Sequence, residues 1–191
     1  MTGATDATTG SASGASGGTW SELSLGALAT HIDAVHHAYL RRELPRIVGL
    51  AHRAETTCIE RHREAPRLAE LVDTLAADLV LHTMKEERVL FPLCRYLDLV
   101  DELDAEYQGS IMGPIGCMTC EHEAASRDLE ELDTLVSAST DDSDPDWTEL
   151  LDALRDLVAD VRLHMLKEDT GLFPRALARE GELQAGSGGH P

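Results

Sequence analysis

The sequence predicts an all-α fold, an antiparallel four-helix bundle, and three observations carry that expectation. The apolar residues, 42% of the 191-residue chain, are mostly Leu, Ala and Val, whereas aromatics make up only 4%. Good helix formers thus outweigh the aromatic residues that strands favour. Apolar residues recur at helical spacing in four successive segments. Finally, one eleven-residue pattern occurs twice without a gap: residues 82–92 read HTMKEERVLFP and residues 164–174 read HMLKEDTGLFP.

The first segment runs from about Ser21 to Glu64, with Leu25, Leu28, Ile32, Val35 and Tyr39 in its stripe. Pro45 is expected to kink or break it, because proline removes a backbone donor and crowds the preceding turn. The second runs from about Pro66 to Leu97, with Leu68, Leu71, Leu75, Leu79 and His82 on one face. A looser connection, Asp98 to Pro114, leads to a third helix over about Ile115 to Ala138, aligned on Ile115, Met118, His122, Leu129 and Val136. The polar run STDDSDPD follows, with Asp144 or Asp146 available as a cap. The fourth helix carries Leu150, Leu154, Leu157, Val161, His164 and Glu168 on one side. Short and medium loops between four long helices make the antiparallel bundle their natural packing. The bundle is assigned to residues 20–183. Residues 1–19, rich in Gly, Ser and Thr, and residues 184–191 read as disordered tails.

Charge and composition narrow the function. A formal charge of −19 argues against nucleic acid and anionic membrane as partners, since both select a basic face. No segment approaches the roughly 20 apolar residues that span a bilayer. The N-terminus has neither the basic nor the apolar region of a secretory signal. Four cysteines, Cys58, Cys94, Cys117 and Cys120, are too few for a disulfide scaffold in a domain of this size. A cytoplasmic location is the resulting expectation.

The repeat points to the chemistry. Both copies fit H-x-x-K-E-x-x-x-L-F-P, and they hold both phenylalanines of the chain. In each, a His and a Glu stand four residues apart (His82 with Glu86, His164 with Glu168), so they share one helix face. That face is the apolar stripe, which turns both groups inward. Each copy is preceded on the previous helix by another inward candidate: His37 lies 45 residues before His82, and His122 lies 42 before His164. At ~1.5 Å per residue, such separations leave about 20 residues on each side of a hairpin turn, so the four positions can meet at one level. One histidine on an apolar stripe packs readily as a core residue, but two buried carboxylates beside four imidazoles make sense around a cation, because unpaired buried charge is very costly. Imidazole and carboxylate without thiolate suit iron or manganese, with zinc as a possible substitute. Two carboxylates able to bridge suggest a dinuclear site, with two non-haem iron ions favoured.

The stretches HIDAVHHAYLRRELP, LHTMKEERVLFP, MGPIGCMTCEHE and LHMLKEDTGLFPRAL, spread over about residues 28 to 179, resemble the hemerythrin-like, HHE cation-binding proteins. More narrowly, the chain is similar to the iron-centre repair proteins that bacteria use under nitrosative and oxidative stress. The resemblance implies an antiparallel bundle around a bridged di-iron centre. It carries ligand roles onto His37, His82, Glu86, His122, His164 and Glu168, with the two glutamates as bridges. His36 competes with His37: local periodicity favours His36, whereas the family's spacing to Leu44-Pro45 favours His37. Relatives often carry a further histidine after the Leu-Pro step; by spacing that position is Cys58 here, with His62 one turn on as a possible substitute. They also often carry an N-terminal domain with a cysteine pair, where this chain has a low-complexity tail. Cys117 and Cys120, just ahead of His122, are a departure. They are expected to open a helix, where a lowered thiol pKa suits a redox pair, and two small packing residues are the plainer reading.

Three functions compete. The resemblance favours a stress-linked di-iron protein that reacts with nitric oxide, dioxygen or peroxide, or supplies iron to damaged iron–sulfur proteins. A second is an oxygen or iron sensing module without turnover; a lone His122 on the third helix argues against simple oxygen carriage. A third is a di-iron oxidoreductase acting on a small metabolite.

Overall fold

The computed structural model describes residues 20–104, 107, 109–139 and 144–187. Both proposed tails lie largely outside these residues. A 3₁₀ turn, Trp20–Glu22, leads into α1 (Leu25–Ile32), which a π-helical turn, Asp33–His37, joins to α2 (Ala38–Thr57). Next comes α3 (Ala65–Lys85), continued through a second π turn, Glu86–Leu90, into α4 (Phe91–Leu99). Then α5 (Met112–Ala138) stands alone. The last rod is α6 (Pro145–Lys167), a third π turn, Glu168–Leu172, and α7 (Phe173–Ser187). Helix α2 packs on α3 and α6, and α5 packs on α6 and α3, which closes a four-rod bundle. No helix among the described residues is long and apolar enough to cross a membrane.

Several boundaries differ from the sequence reading. The first rod ends at Thr57 rather than Glu64: Cys58 caps it, and the amides of Arg61 and His62 turn back onto the Cys58 carbonyl. Pro45 does not break α2. Its side chain is exposed, so the carbonyl left without a donor one turn earlier can be satisfied by water. Helix α5 starts at Met112, three residues early, because Pro114 falls in the first turn, where no amide is required. Of the two cap candidates, Asp144 caps α6, accepting from the Asp146 amide. Helix α7 runs on to Ser187, past the boundary at 183.

Two of the three π turns have a sequence cause. In each repeat the widened turn ends at a Phe-Pro step: the Phe91 amide donates to the Glu86 carbonyl, and the Phe173 amide to that of Glu168. Pro92 and Pro174 have no amide to continue a regular ladder, and a wider turn relieves the crowding of their rings. The extra residue also shifts the phase. Two regular turns beyond His82 would bring Val89 inward, yet Val89 is 48% exposed and Leu90 is buried.

The core divides in two. One apolar cluster lies between α2, α3, α5 and α6, from Trp147 and Leu68 up to Leu40, Leu79 and Met165. The other, with Leu28, Phe91, Ile115 and Phe173, joins α1, α4, α7 and the start of α5. Asp98 anchors the second by accepting from Ser24 and the Gly26 amide. Buried Glu180 holds the connection into α5, accepting from Tyr107, Ser110 and the Ile111 amide. Between the two clusters lies a polar layer.

Candidate metal centre

That layer consists of His37, His82, Glu86, His122, His164 and Glu168, all buried, with both glutamates at 0% exposure. All four rods contribute. His37 ends the first π turn, Glu86 and Glu168 begin the other two, and His82 and His164 stand one helical turn before their glutamates. Glu86 Oε2 lies 3.2 Å from His37 Nε2, 3.5 Å from His82 Nε2 and 3.7 Å from His164 Nε2. Glu168 approaches His164 Nε2 at 3.0 Å and His122 Nε2 at 3.2 Å. His82 and His122 face each other, Nε2 to Nε2, at 3.2 Å. Donor atoms fall into two overlapping groups in which every pair lies within 4.8 Å: His37, Glu86, His164 and Glu168, and His82, His122 and Glu168.

The donor set fits a cation. Buried polar atoms without a hydrogen bond include His37 Nε2, both Glu86 oxygens and Glu168 Oε2, an arrangement costly unless something positive sits among them. Three of the imidazoles are also aimed. His37 Nδ1 meets Glu87 at 2.9 Å, His82 Nδ1 meets Glu121 at 2.9 Å, and His122 Nδ1 meets Asp169 at 2.8 Å. A carboxylate at Nδ1 keeps the proton there and leaves the Nε2 lone pair facing inward, the usual support for a metal-binding histidine.

Without a metal the site strains its own protons. Burial and the neighbouring Glu168 charge raise the Glu86 carboxyl well above its ordinary range. Burial also opposes the Glu168 charge, but the imidazoles of His164 and His122 outweigh it and hold that carboxyl low. Burial, then His164, lowers His37 to about 4. Burial works against the His122 charge too, yet hydrogen bonds to Asp169 and Glu168 push it up to about 9. A cavity of about 170 Å³ between α3 and α5 reaches His82, His122 and His164 and is otherwise lined by apolar residues such as Leu79, Leu81 and Met165 and by the charged Asp78, Lys85 and Glu121.

Other sequence candidates fall elsewhere. His36 is buried but turned away from the glutamates, with Nδ1 on Asp160 at 2.9 Å and Nε2 on Lys167 Nζ at 2.8 Å. Of the adjacent pair, His37 is the one brought to the centre. Cys58 and His62 lie at the opposite end of the bundle: Cys58 donates to Asp144, and the His62 ring stacks on Trp147 at 4.0 Å. Trp147 is 17 residues from His164 along α6, about 25 Å, so neither residue reaches the centre. Cys117 and Cys120 are exposed free thiols. Because α5 starts at Met112, they sit beyond its first turn, and Cys117 donates to Glu121 at 3.3 Å, a bond that raises its pKa instead of lowering it. Sequence reasoning missed Glu87, Glu121 and Asp169. Two of them had a signal, since each copy of the repeat has a second acid directly after its inward glutamate, Glu87 and Asp169.

The family model for the hemerythrin HHE cation binding domain matches residues 28–176. The chain belongs to this hemerythrin HHE family. Within it the chain is similar to proteins named iron-sulfur cluster repair protein YtfE. That of Enterobacter sp. (strain 638) is 30% identical over 168 residues, covering 84% of this chain and 70% of that protein. The protein of Dickeya chrysanthemi (strain Ech1591) is 30% identical over 170 residues, and that of Escherichia coli O157:H7 is 29% identical over 168, with the same coverage. The matched segment of this hemerythrin HHE chain contains all six convergent donors.

Proposed function

We propose that this chain is a non-haem di-iron protein of bacterial stress defence that supplies iron to damaged iron–sulfur proteins. One observation carries the reading: six buried imidazole and carboxylate donors converge from four rods, with orphaned lone pairs pointing at one another. His37, His82, Glu86, His122, His164 and Glu168 would hold the ions. The name of the YtfE relatives supports the repair role. Iron held there supplies one-electron redox chemistry and an exchangeable coordination position. The protein's own groups do the rest. Glu87, Glu121 and Asp169 fix the tautomers of three imidazoles, and apolar clusters border the layer on both sides. The cavity beside His82 and His122 has room for a diatomic such as nitric oxide or dioxygen, which favours direct reaction with such molecules as a companion activity.

The test is metal content and Mössbauer spectra of anaerobically reconstituted protein, before and after nitric oxide, followed by mixing with a protein whose iron–sulfur cluster has been damaged. Two coupled irons per chain, lost to the cluster protein as its absorbance recovers, are the expected result. A mononuclear or zinc-only site, inert to nitric oxide and unable to restore a cluster, would overturn the reading.

A further inference from the structure

The two halves of the site are related by the repeat, and one correspondence is broken. His82 matches His164, Glu86 matches Glu168, and Lys85 matches Lys167. On the partner helices His122 matches His37, so Glu121, directly before His122, corresponds to His36, directly before His37. In one half Glu121 accepts from His82 at Nδ1 and also pairs with Lys85. In the other half a histidine occupies that slot. The His36 ring lies parallel to that of His164, 2° between planes and 5.3 Å between centroids, and gives it no acceptor. His164 Nδ1 is buried with no hydrogen-bond partner among the described residues. Lys167, the match of Lys85, turns instead to His36 and His31 at 2.8 and 2.9 Å, and its nearest anionic help, Asp160, is bound to His36.

We infer that His164 is the loosest of the four imidazoles and the point at which metal leaves the centre. The inference rests on the metal-binding reading above and adds the exit to it. Losing the outer partner of a ligand histidine typically costs about 10–100-fold in metal affinity, because the partner both orients the ring and strengthens the donor nitrogen. Three imidazoles have such a partner at 2.8–2.9 Å, and among the described residues His164 has none. A site that must hold iron and yet surrender it gains from one such ligand. The His31–Lys167–His36 cluster keeps it that way by filling the space a carboxylate takes in the other half.

The experiment loads the full chain with Fe(II) anaerobically and follows release to a colour-forming iron(II) chelator. His36→Glu places the acid of the other half in the corresponding slot, beside Lys167, and should slow the fastest release phase about tenfold or more. Glu121→Gln, which weakens the His82 partner, should accelerate release. His36→Gln, a milder change that keeps an acceptor, should slow release less than Glu and guards against a fold lost to the added charge. Unchanged release in both folded His36 variants, with Glu121→Gln faster, would overturn the inference while leaving the metal reading intact. A wild-type chain that takes up no iron would overturn both.

Discussion

Replacing Glu86 with Gln should move the metal-free and metal-loaded proteins in opposite directions. Glu86 is fully buried, neither oxygen has a hydrogen-bond partner among the described residues, and Glu168 shares the layer. Its carboxyl is raised in the folded chain, so folding opposes its ionisation, and this penalty grows as pH rises above the unfolded value of 4.5. Each pH unit between that value and neutrality adds at most about 1.4 kcal/mol, about 3 kcal/mol in all by pH 7, and an uncharged amide escapes this penalty. In a chain of this size 1 kcal/mol shifts Tm by about 2–4 °C, so metal-free Glu86→Gln should melt up to about 12 °C above wild type at neutral pH. With metal the sign reverses: a ligand at a hundred times its Kd stabilises by about 2.7 kcal/mol, and a neutral amide forfeits most of that. Calorimetric melts of chelator-stripped and Fe(II)-loaded protein measure both terms. A stripped variant melting at or below wild type, or a loaded variant keeping the full metal shift, would refute the argument.

Three further outcomes follow from the same geometry. The raised His122 pKa stabilises the metal-free fold fully below about 6.5 and progressively less as pH climbs toward about 9; Asp169→Asn should flatten that decline in a pH series of urea melts. Trp147→Ala should cost about 3–5 kcal/mol while leaving metal per chain unchanged, because Trp147 lies 17 residues along α6 from His164, about 25 Å; loss of metal from the folded variant would show the two regions to be interdependent. Cys117→Ser with Cys120→Ser should retain full metal content by elemental analysis, since both thiols are exposed and neither belongs to the converging donor groups.

The repeat made much of this centre legible. A His and a Glu four apart on an apolar stripe, twice, leave few arrangements other than two inward pairs, and the bundle follows from the same stripes. Local periodicity favoured His36 over His37, and it misled because the π turn at Asp33–His37 shifts the helical phase where they stand. The end of α2 was also hidden: the apolar and charged residues from Cys58 to Glu64 suit a helix, and only packing of His62 onto Trp147, 85 residues away, shows the chain turning there. Glu121 left no trace in sequence, since an acid beside a histidine is common and its hold on His82 crosses between helices. Lys85 and Lys167, equivalent in the repeat and plausible as solvated residues, part company in the fold: Lys85 is partly exposed and Lys167 is buried.

The division of the interior into two apolar clusters bears on how the chain unfolds. Apolar contact is what makes distant segments melt together, and here it is interrupted by a layer of ionisable groups joined between rods by hydrogen bonds such as His37 to Glu87 and His82 to Glu121. Cooperativity across that layer then depends on whatever binds in it. With metal removed, exchange of the helix amides in the two clusters is expected to become less tightly coupled than in the loaded protein. Loaded, the same helices are clamped at mid-length, and opening at either end must work against the whole. Metal occupancy thereby becomes a property that a protease or a chaperone can read from outside, through backbone exposure far from the ligands themselves.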